Sequence, residues 1–89
     1  MRTPSYTVQF HKDIDLAKKR GKKLDKLKEI MSLLIEGERL PDKNKDHKLV
    51  GVFKNFRECH IESDWLLMYK VESANIIFIR TGTHTDLFD

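Results

Sequence analysis

The segments WLLMYKVE at 65–72 and NIIFIRTG at 75–82, joined only by Ser73-Ala74, decide the fold. Trp65 to Tyr69 are apolar at every position, and so are Ile76 to Ile79. Short unbroken apolar runs rich in aromatic and β-branched residues read as central strands covered on both faces. A two-residue link leaves room only for an antiparallel hairpin. Working back toward the N-terminus, Phe56 to Glu62 and Val50 to Phe53 read as two more strands, linked through Ser63-Asp64 and Lys54-Asn55, so residues 50–82 form a meander.

The first half carries helical spacing. Leu24, Leu27, Ile30, Met31, Leu34 and Ile35 recur at three- and four-residue steps, and Gly37 supplies the stop. A shorter helix is expected over Lys12 to Arg20, marked by Ile14, Leu16 and Ala17 and ended at Gly21. Ahead of it, Tyr6, Val8 and Phe10 alternate with Thr7 and Gln9, the period of a strand with one buried face. Glu38 to Lys48 is polar, contains Pro41 and reads as a long connecting loop. The expected architecture is α+β: an N-terminal strand and a two-helix hairpin packed on a mainly antiparallel sheet of four to five strands. The helix pair covers one face of that sheet, leaving the other for the C-terminal tail, a partner, or both.

With 89 residues the chain makes a single domain, residues 1–89, with a small core. The lone Cys59 forms no internal disulfide, and Met1 to Phe10 has no apolar signal region, so a reducing cytoplasm is expected. No apolar stretch reaches the roughly 18 to 20 residues of a membrane span. Charge is unevenly shared: residues 1–48 hold 13 Lys+Arg against 8 Asp+Glu, a balance of +5, and residues 49–89 hold 4 against 6, a balance of −2. Lys18, Lys19, Arg20, Lys22, Lys23, Lys26 and Lys28 crowd eleven positions. That density suits a polyanion, although a basic run by itself is equally a solvated helix face.

His47, His60 and His84 all fall in the C-terminal half, in KDHKL, RECHIESDW and IRTGTHTDLF. Imidazole titrates near neutrality, so gathered histidines point to proton transfer at cellular pH. RNA cleavage without a metal needs a base for the 2′-hydroxyl, an acid for the departing 5′-oxygen and cations for the crowded phosphorane. His60 and Asp64 flank one turn, while Arg80 and His84 stand at even spacing, which aims both to one side if the last strand continues that far. Each residue also has an ordinary explanation: an exposed loop histidine, a turn aspartate, a structural ion pair for Arg80, and core packing for Trp65 and Phe88. A zinc site finds little support, because 47, 60 and 84 include no close pair such as HxxxH or CxxC; no metal and no cofactor are expected. Cys59 has no context for an activated nucleophile.

From Lys45 to Phe88 the run KDHKL, the Gly-x-aromatic-Lys-x-aromatic-Arg segment from Gly51 to Arg57, ECHIESDWLLMYK and RTGTHTDLF closely resemble the YafQ branch of the RelE/ParE toxin superfamily. The resemblance implies a RelE-like fold and a ribosome-dependent mRNA endonuclease toxin of a bacterial type II toxin-antitoxin pair. Such toxins cleave mRNA in the ribosomal A site and leave a 3′-phosphate or 2′,3′-cyclic phosphate and a 5′-hydroxyl. It further implies that His47, His60, Asp64 and His84 form the acid/base set, that Arg80 steadies phosphate charge and that Phe88 contacts a nucleotide. Lys18, Lys19, Lys22 and Lys23 are then expected to lie against 16S and 23S ribosomal RNA, and Trp65, read from the residues as core, is expected to shape the site wall as part of the substrate-binding set. A cognate antitoxin is the implied protein partner in a hetero-oligomer, touching operator DNA only through its own DNA-binding domain; no membrane partner is implied. His84 is the expected acid, with His60 or Asp64 as base and His47 in support. Asp89, one residue beyond Phe88, adds negative charge without an evident role. Two other functions remain open on the residues alone: a non-catalytic RNA- or ribosome-binding module, and a ParE-like action on gyrase, which the clustered histidines disfavour.

Overall fold

A computed structural model describes residues 1–88; Asp89 lies outside the described residues. The chain runs β1 (Thr3–Tyr6), α1 (Val8–Lys19), α2 (Leu24–Glu36), β2 (His47–Lys48), β3 (Arg57–Glu62), β4 (Trp65–Glu72), β5 (Asn75–Gly82) and α3 (His84–Phe88), with 3-10 turns at Asp42–Asn44 and Gly51–Phe53. The strands form one sheet in the order β1-β5-β4-β3-β2. β1 runs parallel to β5, and the other pairs are antiparallel. The expected α+β architecture is therefore present, with five strands and a third, short helix at the C-terminus.

Two boundaries differ from the sequence reading. The alternation at Tyr6, Val8 and Phe10 is not a strand: β1 ends at Tyr6, and Val8 and Phe10 belong to α1. Thr7 is the reason. Its side chain accepts the Phe10 N–H at 2.9 Å, satisfying one of the free amides of a helix start. Phe10, Ile14 and Ala17 then turn inward at helical spacing, while Val8 faces solvent. Likewise Val50 to Phe53 is not a strand. Gly51 takes φ +67°, a left-handed conformation that glycine adopts without strain, and Lys54 N–H closes a turn on the Gly51 carbonyl. Strand pairing falls instead to His47 and Lys48, opposite Glu58 and Arg57.

Phe10 and Ala17 of α1, Leu27, Ile30 and Leu34 of α2, Leu40, and Cys59, Trp65, Leu67, Tyr69, Ile76 and Phe78 of the sheet make one core. Gly37 ends α2 in the left-handed conformation, φ +80°, as its position implied. Leu66 and Met68 are also buried but point to the opposite face, where Leu66 stands across from His60 and Gly82 and Met68 from Glu58 and Arg80. Cross-strand partners share a face. This second face, flanked by α3 with its buried Leu87, carries the ionisable side chains. No helix is long and apolar enough to cross a membrane among the described residues.

Candidate functional site

Three histidines converge. β2 and β3 bring His47 directly opposite Glu58, and strand alternation puts His60 on the same face two residues along. His47 Nε2 and His60 Nε2 stand 3.9 and 3.8 Å from Glu58 Oε1, whose side chain is only 6% exposed. The His60 and His84 rings lie edge to face with centroids 5.8 Å apart. His84 reaches this position because β5 ends at Gly82 and α3 begins at His84. The expected strand alternation of Arg80 and His84 therefore does not operate: a helix start places His84.

Hydrogen bonds fix which imidazole nitrogens are free. His47 Nδ1 lies 2.6 Å from the Lys45 carbonyl oxygen, which can only accept, so Nδ1–H donates and Nε2 faces Glu58. His84 Nδ1 is 2.6 Å from Asp64 Oδ1, and the same oxygen accepts the His84 backbone N–H at 2.9 Å. These two bonds, the backbone one first, hold the Asp64 carboxyl below its usual range. An ionised carboxylate that orients one ring nitrogen leaves the other, Nε2, for substrate. Asn44 Nδ2 donates to the His60 carbonyl at 2.7 Å and anchors the strand at that residue.

Glu58 was absent from the sequence expectations. Its signal was the spacing Glu58-x-His60, which on a strand shares a face as surely as HxxxH does on a helix. The expectation of no metal weighed His47, His60, Asp64 and His84 and did not include Glu58. One donor atom each from Glu58, His60 and His84 lie within 4.8 Å of one another, a set able to hold a transition metal ion.

Arg80 turns from the cluster toward α1. Its Nε and Nη2 donate to the two oxygens of Asp13 at 2.8 and 3.1 Å, and Asp13, whose side chain is 5% exposed, also accepts the Thr81 N–H at 3.1 Å. The ion-pair explanation of Arg80 is thus realised. Trp65 is 1% exposed and its indole N–H donates to Thr81 Oγ1 at 3.0 Å, which gives it the core place of its ordinary explanation. Phe88 is exposed at the end of α3. Lys18, Lys19 and Lys23 are exposed, whereas Lys22 joins Lys26 on Glu62 at 3.1 and 2.8 Å and lies over the Trp65 ring. Cys59 is buried, and desolvation first, with Asp46 and Glu58 nearby, pushes its thiol up to about 12, which removes it from nucleophilic chemistry.

α3 is latched to the helix pair. Asp86 accepts two hydrogen bonds from Arg20, at 2.5 and 3.1 Å, and a third from the Thr83 N–H at 2.9 Å. Arg20 first, then Thr83, holds the Asp86 carboxyl far below the usual carboxylate range. A side chain at Gly82 would meet Asp86 Oδ2 at 2.8 Å, so the bare backbone there admits the latch.

Residues 2–89 match the family model described as the bacterial toxin of type II toxin-antitoxin system, YafQ. The chain belongs to the YafQ toxin family. It is 48% identical over 84 residues, 93% of this chain and 91% of the relative, to the mRNA interferase toxin YafQ of Escherichia coli K12. It superposes on the toxin of the E. coli DinJ-YafQ toxin-antitoxin complex with a TM-score of 0.93 at 46% identity, covering 99% of this chain and 98% of that one. A metal-bound toxin from Helicobacter pylori matches with a TM-score of 0.92 at 36% identity, covering 99% and 100%.

Proposed function

We propose that this YafQ-family chain is an mRNA interferase: an endoribonuclease toxin, working in the cytoplasm as a single domain, that cuts mRNA in the ribosomal A site and so arrests translation. The observation carrying this reading is the convergence of three imidazoles with a buried and an exposed carboxylate on one sheet face. His84, with Nδ1 tied to Asp64, presents Nε2 as the acid that protonates the departing 5′-oxygen. His60, backed by Glu58, takes the 2′-hydroxyl proton, and His47 completes the charge around the phosphorane. The 2′-oxygen attacks phosphorus as the 5′-oxygen leaves, giving a 2′,3′-cyclic phosphate. Within this reading Asp64 positions His84 and is not itself the base. Arg80 keeps only its unbonded guanidinium edge for phosphate, and Phe88 meets a base. Exposed Lys18, Lys19 and Lys23 supply the surface for ribosomal RNA, and a cognate antitoxin binds the toxin as DinJ does YafQ in the E. coli complex.

Primer extension on a translated message tests the reaction. The wild-type protein should create new 5′ ends, and His84→Ala should lower their rate about 100- to 10,000-fold. Full cleavage by His84→Ala contradicts the reading, and binding to ribosomes with no new ends by wild type favours the non-catalytic module.

A second reading concerns the same rings. Glu58, His60 and His84 would hold a divalent transition metal through the lone pairs that proton transfer needs, so zinc should inhibit rather than activate. Cleavage should persist in a chelator and fall on adding zinc. Loss of cleavage in chelator would overturn the metal-free chemistry.

A further inference from the structure

The Gly51–Arg57 run has no part in the chemistry above, yet it is built into the wall of the site. Arg57 is its root: Nε and Nη2 donate to the Asp46 carboxylate at 3.4 and 3.2 Å, and the Tyr69 hydroxyl donates to Asp46 at 2.5 Å. Because Asp46 precedes His47, this network ties the two ends of the β2–β3 connection together beside the histidines. From that root the connection reaches outward. Val50 and Val52 are 84% and 91% exposed, and Phe53 folds back so that its ring meets Phe88 edge to face, centroids 5.5 Å apart. Phe56 lies 6.3 Å behind Phe53, with Lys70 Nζ over its ring. The helix that starts with His84 ends at Phe88, so the Phe53–Phe88 contact joins the wall carrying His47 to the wall carrying His84.

We propose that Phe53 and Phe88 together form a stacking platform for an RNA base next to the cleaved phosphodiester, with Lys54 facing that nucleotide's phosphate. This deepens, and rests on, the endoribonuclease reading. Two features select RNA over a protein occupant. Phe88 shares α3 with His84, four residues along, and from Lys48 through Arg57 the chain holds three cations and no acid. Aromatic faces beside cations are how single strands are held without regard to sequence.

Phe53→Ala and Phe53→Leu should each raise KM for the ribosome-bound message by roughly 5- to 150-fold, the equivalent of one lost base stack, while kcat changes less. Phe53→Trp should restore it. The leucine variant keeps apolar bulk, so a packing role alone predicts wild-type kinetics for it, and that result overturns the platform. A second readout needs no cleavage. Fluorescence of Phe53→Trp, taken as the difference from wild type, should be quenched by a 2′-O-methyl hexanucleotide, and absence of quenching overturns the platform. If wild type cuts no message but the quench is seen, the nuclease reading fails while the base contact stands. Unchanged cleavage with lost antitoxin affinity would assign the loop to the protein partner and also overturn the proposal.

Discussion

Two groups of charges, one at β5 and one on β2 and β3, are treated in opposite ways. On the α1 side, Asp13 and Arg80 are matched: two donor-acceptor bonds between them and a third from the Thr81 N–H. On β2 and β3, His47 and His60 sit 3.9 and 3.8 Å from Glu58, beyond hydrogen-bonding distance, around a nearly dry carboxylate. The difference teaches which charges hold the scaffold and which stand ready for a substrate: Asp13 and the bonded edge of Arg80 serve the structure, while the Nε2 atoms of the histidines keep their capacity.

The widest gap between the two groups should appear on substitution. His84→Ala should reduce cleavage by the two to four orders of magnitude given above and leave thermal stability near wild type, because the ring is exposed and its partner Asp64 is too. Asp13→Ala should act chiefly on stability. It strands a half-buried guanidinium and a buried amide, costing about 2–3 kcal/mol, between the values for surface and buried pairs. For a domain of this size each kcal/mol moves the melting temperature about 4–8 °C, which calorimetry would read. Equal melting temperatures for Asp13→Ala and His84→Ala would erase the distinction.

The central strands and α2 were more legible than the segments that join them, for physical reasons. Trp65 to Tyr69 declared themselves because a strand buried on both faces leaves a continuous apolar run, and Ile76 to Ile79 because their second face is still half-buried. Tyr6, Val8 and Phe10 misled because three residues cannot separate a period of two from the start of a helix, and Thr7 as a cap was the overlooked sign. Of the site, the histidines were legible from type alone, and Asp64 from its turn. Glu58 was legible only through its two-residue spacing from His60 on β3, and its place opposite His47 was not, since β2 is a two-residue strand that no periodicity announces. The latch through Arg20 and Asp86 joins positions 66 apart in sequence and is likewise invisible before folding.

That latch gives the smallest expected effect. Its carboxyl titrates lower in the folded chain than in the unfolded one, so its contribution is complete above the unfolded value of about 3.9 and fades as pH falls toward the folded value. Asp86→Asn should therefore lower stability at neutral pH and flatten the loss below about pH 4. An Asp86→Asn curve parallel to wild type throughout that range would remove the latch from the account.

The chemistry at the severed bond tests the central claim most directly. End-group analysis of mRNA cut during translation by the purified wild-type protein should find 5′-hydroxyl ends facing 2′,3′-cyclic phosphate or 3′-phosphate ends, with chelator present. Fragments bearing 5′-phosphate and 3′-hydroxyl ends would contradict an imidazole-driven attack by the 2′-oxygen.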